Sequence, residues 1–526
     1  MANEHTVSER NDLTRGPIMK KLLMFALPVV LSNLIMQLYN IADSIIVGNF
    51  AANGAHALAA VGVSFPVMTL FNALFMGISM GSQIVISQMF GAKDFDSLQK
   101  GLNTSMSLAF AMGLFITVVG TPLAGPLLRM LNTPKELIND ATIYLMIIFL
   151  GMLGNVYFNL GSGALRGMGD SKWPLYAMIV SSVMNVALDL LFVIVFQWGV
   201  MGVALATSIS HFASGMVLAV RINSGAYPVK VQFKKLIHPD GKSVKNIMRL
   251  GLPTGLQQMA MSLGGMVIQT FSNGFGADLI AANTVIMKAD GFAVMPMFAM
   301  GAAVTTFVGQ NIGAGDTERA KKGVHAGILA VVCIGLVVGI ALWFCGGLIM
   351  QLFGIEPGND IMVMGINGVR ILAFVYCFMG IDGSIAGALR GAGAAIPPMI
   401  TAIASNLARI PITYLIAVRP LNAAVEKLMA TVPLDPRIGE KATQYLTKMN
   451  ADGTPMYDTF EEAQQAAAVS IANMDGNIYR MLFVSMAASM VLGALLSFLY
   501  FKFGNWHNKG ITDAAKRAAQ AAPKED

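Results

Sequence analysis

The chain has 526 residues, of which 55% are hydrophobic and only 12% are charged. Because an ordinary soluble domain carries about 25% charged residues, this composition excludes a soluble globular protein. The formal net charge of +6 comes from Lys and Arg residues in the loops between apolar segments. The charge therefore indicates membrane topology and not nucleic-acid binding.

Apolar segments long enough for a membrane helix recur along the chain. A helix needs about 20 residues to cross a hydrocarbon core of about 30 Å, whereas a strand of a membrane β-barrel needs about ten. Twelve transmembrane helices are predicted, over 18–48, 56–90, 97–121, 136–166, 172–196, 199–222, 244–274, 279–310, 318–353, 360–390, 394–418 and 477–503. An even number of spans places both termini on one side, and the basic loops identify that side as the cytoplasm. We expect a multi-pass protein of the cytoplasmic (inner) membrane of a prokaryote.

The two halves of the chain resemble each other. The heptapeptide GALRGMG at 163–169 recurs as GALRGAG at 387–393, Leu-Pro at 27–28 recurs at 252–253, and Q-x-x-G-A-x-D at 88–94 recurs at 310–316. Since each half has an even number of spans, the halves must be parallel repeats about a pseudo-two-fold axis along the membrane normal. The predicted fold is therefore an all-α integral membrane protein with twelve helices in two parallel six-helix lobes. This arrangement is typical of alternating-access transporters.

The domain organisation follows from this repeat and from the polar stretches. We predict a cytoplasmic N-terminal tail over 1–17, a first lobe over 18–222, a cytoplasmic linker over 223–243, a second lobe over 244–503 and a cytoplasmic C-terminal tail over 504–526. A polar stretch over 420–475 interrupts the second lobe and contains two predicted short helices, over 422–430 and 459–473. We interpret it as an extracytoplasmic surface insertion rather than as a lid or a partner-binding element, because surface loops tolerate such growth.

Two carboxylates lie inside predicted spans of the first half, where ionisable side chains are costly and are functional candidates. Asp43 and Asp189 lie about 37 Å and about 25 Å along spans one and five, at compatible depths. Tyr39 and Asn185 each precede one of these acids by four residues and share its helical face. Thr207 on span six reaches the same level. Such a cluster could exchange protons, because burial favours a protonated carboxyl, or hold Na+ through the oxygens of Asp43, Asn185, Asp189 and Thr207.

The second half carries five ionisable side chains inside its predicted spans. We expect these residues to pair with one another rather than to contact substrate: Lys288, Asp290, Arg370, Asp382 and Arg409. No nucleophile–base pair or metal-ligand cluster appears at membrane depth, so an enzyme is not predicted. The cysteines Cys333, Cys345 and Cys377 lie in apolar segments without metal-ligand spacing. Pro28 in the first span removes a backbone hydrogen bond and is a candidate hinge.

Several of these motifs occur together in one family. The segment Y-N-I-A-D at 39–43, the two G-A-L-R-G segments, N-x-x-x-D at 185–189 and Q-N-I-G-A-G at 310–315 resemble the multidrug and toxic compound extrusion (MATE) family. The resemblance covers nearly the whole chain. It is strongest to the DNA-damage-inducible branch, through Pro28, Asp43, Asn185 and Asp189.

The resemblance implies an efflux antiporter in which cation binding at the two acids competes or couples with substrate in the first lobe. The residues that it implies for the substrate site are Tyr39, Tyr144 and Asn159, and Met36 and Asn40 are predicted to join them. One position departs from the family pattern. The Na+-coupled branch has a glutamate eight residues after the seventh-span proline, where this chain has Met261, so a Na+ site in the second lobe is not expected.

We therefore expect a secondary active exporter of amphipathic, often cationic organic compounds in exchange for H+ or Na+. Its expected partners are small organic substrates and the lipid bilayer, with no nucleic acid and no cofactor beyond the coupling ion, and it is expected to be monomeric. The alternative is a lipid or oligosaccharide flippase of the same superfamily, suggested by the basic residues Lys288, Arg370 and Arg409. A non-transporting membrane sensor rests only on the insertion over 420–475.

Overall fold

The computed structural model describes residues 11–51, 54–430, 435–447, 457–506 and 509–512, and its long regular elements are all helices. The helices of the first half are α1 (Ile18–Phe50), α2 (Gly54–Gly91), α3 (Phe95–Met130), α4 (Ile138–Leu150), α5 (Met152–Gly167), α6 (Lys172–Val195) and α7 (Gly199–Asn223). The second half begins with α8 (Gly241–Asn273), α9 (Ala277–Ala293), α10 (Met295–Gly313) and α11 (Thr317–Leu352). It continues with α12 (Asp360–Ala373), α13 (Val375–Gly391), α14 (Ile396–Met429), α15 (Pro436–Leu446), α16 (Phe460–Asp475) and α17 (Tyr479–Phe503).

The predicted membrane windows all fall on these helices. Within the described residues, nine segments are long and apolar enough to cross a bilayer, with α9 and α10 taken as one. Two further spans are bent pairs, α4 with α5 at 49° and α12 with α13 at 42°. Helix α8 has 33 residues but is less apolar than the others. The all-helical membrane class is confirmed, and the count of twelve crossings stays a prediction.

Two hydrophobic cores define the two predicted lobes. One core is built from buried residues between Ile46 and Leu250, joined by Ala395, and the other mainly from residues between Ile268 and Trp506. Helix α1 contributes to both. Its first part, which includes Leu22 and Phe25, packs in the second core, whereas Ile46 and Val47 belong to the first. Pro28 lies before the change of core, and its role as a hinge stays a prediction.

The lobes are in close contact at the end of the bundle that carries both chain termini. Helices α2 and α10 approach backbone to backbone there, at two glycines 222 positions apart in the repeat (91 and 313). A Cβ atom on Gly91 would lie 1.9 Å from the carbonyl oxygen of Gln310, and one on Gly313 would lie 2.1 Å from that of Gln88. Only glycine permits this approach, so the two lobes are sealed at this end.

Two glutamines hold this seal by the same bonds in each repeat. Gln88 donates a hydrogen bond of 2.8 Å to the carbonyl of Gly391 in the other lobe, and Gln310 donates one of 3.0 Å to that of Gly167. Each glutamine oxygen also accepts a backbone N–H from a terminal tail, from Ile511 at 2.8 Å and from Leu13 at 2.9 Å. Both tails and both lobes are therefore tied together through this pair.

The substitution Gly91→Ala is expected to destabilise the folded protein, because the added methyl group overlaps the Gln310 carbonyl. Overpacking of this kind costs about 1–3 kcal/mol. Gly62→Ala on the same helix is the matched control, since a Cβ there meets nothing within 4 Å. Thermal melting of the two variants in detergent measures the difference. Equal melting temperatures would contradict the tight helix contact.

The insertion forms a small helical subdomain on the second lobe. Helices α15 and α16 share a core that includes Ile438, Tyr445 and Ala467. The Tyr445 hydroxyl donates 2.8 Å to Asp278 at the start of α9, and the Lys441 ammonium contacts Asp360 at the start of α12 at 2.8 Å. Burial raises the pKa of the Tyr445 phenol, so this group stays a neutral donor. These contacts fasten the insertion to the second lobe, at the end opposite the seal.

The two predicted insertion helices correspond to the last part of α14 and to α16. Helix α15 was not predicted, because Pro433 and Pro436 suggested a break. Pro436 instead occupies the first turn, where proline is tolerated, and Asp435 caps that turn by accepting the Arg437 backbone N–H at 3.0 Å. The outer parts of the predicted tails, over 1–10 and 513–526, lie outside the described residues.

Candidate functional site

The candidate site lies within the first lobe, in the half that is distant from the seal. Helix α1 packs against α6, and α7 packs against both α6 and α4. Asp43 is 25 residues along α1 and Asp189 is 17 residues along α6. Since both helices begin at the sealed end, a rise of about 1.5 Å per residue places both acids toward the opposite end. The helix packing brings Asp43, Tyr144, Asp189 and Thr207 into one region of the lobe.

Two carboxyls and two tyrosines form the centre of the site. Asp43 and Asp189 lie close enough for their carboxyl groups to interact. The phenols of Tyr39 and Tyr144 lie within electrostatic range of both acids. Asp189 is 0% exposed and Tyr144 only 4%. The structure therefore brings together four residues that the sequence predicts from three separate helices.

An amide–hydroxyl pair adjoins the acids. Asn185 lies one turn before Asp189 on α6, and its amide nitrogen is 3.5 Å from the Thr207 hydroxyl on α7. Asn185 is 1% exposed and Thr207 is 9% exposed. This contact leaves the amide oxygen of Asn185 without a hydrogen-bond donor. The pair therefore adds further oxygen atoms to the site.

Four side-chain oxygens of this site have no hydrogen-bond donor in the described residues. Asp43 Oδ1, both carboxyl oxygens of Asp189 and the amide oxygen of Asn185 have no hydrogen-bond partner in the described protein. The buried Asp189 carboxylate has lost its hydration and lies beside the partly buried carboxylate of Asp43, so the arrangement is costly while both are charged. A proton shared between the acids, or a Na+ ion bound by these oxygens, relieves that cost. The residues present therefore fit either ion, and H+ and Na+ both stay predictions.

The backbone of α6 changes from an α-helix to a π-helix directly after Asp189. Asp189 ends the regular α-helical part, and residues Leu190–Val195 continue as a π-helical segment. Such segments are rare and are frequent at functional sites. The other lobe repeats the feature, with a π-helical segment over Tyr414–Val418 in α14. The sequence pattern gave no signal for either segment.

Other predicted site residues lie apart from this cluster. Asn159 is fifteen residues beyond Tyr144, past the α4–α5 bend, and its amide donates 2.6 Å to the side chain of Asn155. Met36 and Asn40 lie on α1 with exposed side chains, and Met36 is 43% exposed. Their contribution to substrate binding stays a prediction. The structure associates Asn159 with Asn155 and with α2, whose Ser79 donates 2.6 Å to the Asn159 carbonyl.

The charged residues of the second lobe do not pair with one another in the described structure, contrary to expectation. Asp290 accepts a hydrogen bond from Tyr376, and Asp382 accepts one of 2.6 Å from Ser497. Lys288 lies 5.1 Å from the ring of Phe353, and Arg370 lies 5.2 Å from that of Trp343. Arg409 donates to Ser489 at 2.9 Å. Hydroxyl groups and aromatic faces replace the ion pairs, because each charge has such a partner on a neighbouring helix.

The structure also shows functional candidates that the sequence reasoning missed. Gln88 and Gln310 belong to the repeated Q-x-x-G-A-x-D motif, but the motif did not indicate that they cross between lobes. The available signal was the repeat of a long polar side chain at the end of an apolar span in both halves. Asp278 likewise anchors the insertion, accepting from Tyr445 and from Ser470 at 3.1 Å.

Comparison with known proteins decides the family. A model of the MatE family matches the chain twice, over residues 28–191 and 253–415. The chain belongs to the MatE family. The two matches correspond to the two internal repeats, and the predicted family resemblance is confirmed. As a MATE transporter with apolar helices throughout both matches, it is a multi-pass membrane protein.

Curated MATE relatives align over most of this chain. A probable multidrug resistance protein, YpnP of Bacillus subtilis (strain 168), is 30% identical over 408 residues, which cover 77% of this chain and 89% of the relative. The probable multidrug resistance protein NorM of Thermotoga maritima is 28% identical and covers 76% of this chain and 85% of the relative. The multidrug export protein MepA of Staphylococcus aureus (strain MSSA476) is 24% identical over 76% of this chain and 88% of the relative.

Solved structures share the MATE fold. A crystal structure described as MATE in the bent conformation has a TM-score of 0.77 at 22% identity, and the match covers 97% of this chain and 99% of that chain. An outward-facing MATE family transporter of the MOP superfamily has a TM-score of 0.76 at 22% identity, with 94% and 97% covered. These similarities confirm the two-lobe fold.

Proposed function

We propose that this MATE protein is a secondary active exporter of amphipathic, often cationic organic compounds, driven by inward movement of H+ or Na+. The observation that carries the proposal is the pair of buried Asp189 and partly buried Asp43 in the unsealed half of the first lobe, where three of the four carboxyl oxygens lack donors. We further propose that the sealed end faces the cytoplasm of a prokaryotic cell, because most loop Lys and Arg residues lie on that side. Both termini are then cytoplasmic.

The mechanism follows from competition for the acid pair. In the arrangement described, the seal formed by Gln88 and Gln310 closes the cytoplasmic end, and the acids lie toward the outer face. A cation that enters from outside neutralises Asp43 and Asp189 and removes the attraction for a cationic substrate, which then leaves. When the seal opens inward, the cation dissociates and the acids again attract a substrate. The coupling cation and the cationic substrate thus stabilise different states of the same lobe.

The relatives support a role in multidrug efflux, since the three described above are named as multidrug resistance or export proteins. Met36, with an exposed thioether beside Tyr39, offers an adaptable apolar contact for varied organic compounds. The phenols of Tyr39 and Tyr144 offer aromatic faces to an organic cation.

Ethidium efflux from energised cells tests the proposed function. Cells that lack their own exporters are loaded with ethidium, washed and then given glucose. Expression of this protein is expected to increase the initial efflux rate at least fivefold over cells that carry the empty vector. A protonophore or a Na+ ionophore that matches the coupling ion should remove the increase. Equal efflux with and without the protein, at confirmed membrane expression, would contradict the proposal.

A further inference from the structure

The second lobe contains a counterpart of the candidate site with reversed charge. The repeat places Gly264 and Ile268 at the positions of Tyr39 and Asp43, and Arg409 and Thr413 at those of Asn185 and Asp189. Both acids of the first lobe therefore have uncharged counterparts. The only charge among the four counterpart residues is the guanidinium of Arg409.

The local structure supports this correspondence independently of the sequence offset. Asn185 on α6 bonds to the Thr207 hydroxyl on α7. Arg409 Nε on α14 donates a hydrogen bond of 2.9 Å to the Ser489 hydroxyl on α17. The same relation therefore joins the last two membrane-spanning helices of each lobe. Asp189 and Thr413 also occupy the same place, because each directly precedes a π-helical segment. The two sites are thus the same structural position in two repeats.

A glycine makes room for the cation. A Cβ atom on Gly264 would lie 3.1 Å from Arg409 Nη1 and 1.9 Å from the side-chain oxygen of Asn406. The missing side chain at 264 therefore creates the space that the guanidinium and the amide occupy.

The guanidinium of Arg409 has no anionic partner among the described residues. Arg409 is half-buried at membrane depth, and no carboxylate of the described residues forms an ion pair with it. Its hydrogen bond to Ser489 uses Nε, and the two terminal nitrogens have no hydrogen-bond partner among the described residues. An unpaired charge within a membrane protein is costly and is usually functional. A guanidinium fork matches carboxylate and phosphate groups, which accept two parallel hydrogen bonds from it.

We propose that Arg409 forms an anion-binding subsite of the second lobe, which takes the carboxylate or phosphate group of an amphipathic ligand. The Ser489 hydroxyl holds the guanidinium in place, and Asn406 supplies a neighbouring amide. The substrate class of the exporter then extends to zwitterionic compounds, with the cationic end in the first lobe and the anionic end at Arg409. This extension rests on the proposed function, whereas anion binding at Arg409 does not.

A matched pair of dyes tests the subsite. A rhodamine with a free carboxylate and the methyl ester of the same dye are titrated against the protein in phosphatidylcholine nanodiscs, and binding is followed by fluorescence polarisation. The substitution Arg409→Met is expected to weaken binding of the carboxylate dye at least tenfold and to leave binding of the ester within twofold. Arg409→Lys should restore part of the loss, because it keeps the charge without the planar fork.

A second arm identifies a lipid source of the anion. The wild-type protein and Arg409→Met are compared in phosphatidylglycerol nanodiscs by native mass spectrometry of the released protein. Loss of retained phosphatidylglycerol in the variant, with no change for the dye, would support the subsite and assign it to a lipid phosphate. The control is Arg370→Met, whose cation lies over Trp343 with an exposed side chain and which should change neither ligand.

The proposal is overturned if neither the carboxylate dye nor phosphatidylglycerol depends on Arg409, or if Arg409→Met weakens both dyes equally. Size-exclusion profiles and binding of the ester show whether the variants are folded. Failure of the wild-type protein to export the ester under any ion gradient would refute the proposed function instead. The two failures are distinguishable because the subsite is measured by binding at equilibrium.

Discussion

The substitution Asp43→Asn is expected to abolish ion-driven export while leaving the protein folded. An amide has nearly the shape of the carboxyl group but cannot take up a proton or hold a cation by charge. Because Asp43 and Asp189 interact, and three of their four carboxyl oxygens have no hydrogen-bond donor in the described residues, the substitution leaves a single carboxyl to hold the coupling cation. Cation binding and release then no longer distinguish the two states of the transporter. We expect ethidium efflux to fall at least fivefold, to the level of cells without the protein.

The thermal stability of the same variant separates a coupling role from misfolding. An asparagine at 43 can donate a hydrogen bond to Asp189, and it removes the repulsion between the two acids. The variant is therefore expected to melt at the same or a higher temperature than the wild-type protein. A simple folding defect would lower the melting temperature together with the transport rate.

The matched control for this experiment is Ser44→Ala on the next residue of α1. The Ser44 side chain is exposed and bonds to the Asn40 carbonyl of its own helix at 2.8 Å, so its loss should leave efflux unchanged. Asp189→Asn should reproduce the defect of Asp43→Asn. Wild-type efflux in either acid variant, at equal expression, would remove that acid from the coupling site.

The double substitution Gln88→Leu/Gln310→Leu is expected to open the sealed end. The two side chains carry two bonds to the opposite lobe and two bonds to the terminal tails. Leu13 packs in the same core as the helix of Gln310, and Ile511 packs against the same core as the helix of Gln88, so only the two bonds to the opposite lobe hold the lobes together. At about 1 kcal/mol for each of these two hydrogen bonds, their loss weakens the closed state by about 2 kcal/mol. A change of that size moves a two-state equilibrium by roughly thirtyfold, so an open state that is rare in the wild-type protein becomes well populated.

Spin-label distances measure this change directly. Labels at Lys172→Cys and Ile396→Cys, both exposed at the sealed end and equivalent in the repeat, report the separation of the lobes in a background without the native cysteines. The double variant should add a population with a longer distance. Gln99→Leu is the control, because its amide also makes two backbone bonds, to Lys230, but within one lobe. An unchanged distance distribution would show that the glutamines do not hold the seal.

The fold could be predicted largely from the sequence, because the bilayer imposes a strong pattern. Helices of membrane length and the repeated G-A-L-R-G segments are enough to give two parallel lobes. The prediction missed α15, since two prolines suggested a loop while only the local hydrogen bond of Asp435 shows that one of them starts a helix. The packing of the first part of α1 in the core of the other lobe was also not predictable, because apolar composition does not say which apolar neighbour a helix meets.

The two acids of the candidate site were predictable because a charged side chain within a membrane span is energetically costly. An acid within a span stands out whatever its neighbours are, so Asp43 and Asp189 could be found from the sequence alone. The partners of the second-lobe charges could not, because Asp290 meets Tyr376 and Arg409 meets Ser489 through helix contacts that lie far apart in the chain. Polar residues such as Gln88 gave a weak signal, since glutamine at the end of a span is usually only solvated.

In the proposed mechanism, the Asp43–Asp189 pair couples an ion gradient to the movement of substrate. The most direct measurement is transport by purified protein in liposomes, with pH and Na+ gradients imposed separately and with Asp43→Asn measured in parallel. We predict that one of the two gradients drives uphill accumulation of an organic cation by the wild-type protein and that the variant shows none. Accumulation that is equal in both proteins, or that neither gradient affects, would contradict the central claim.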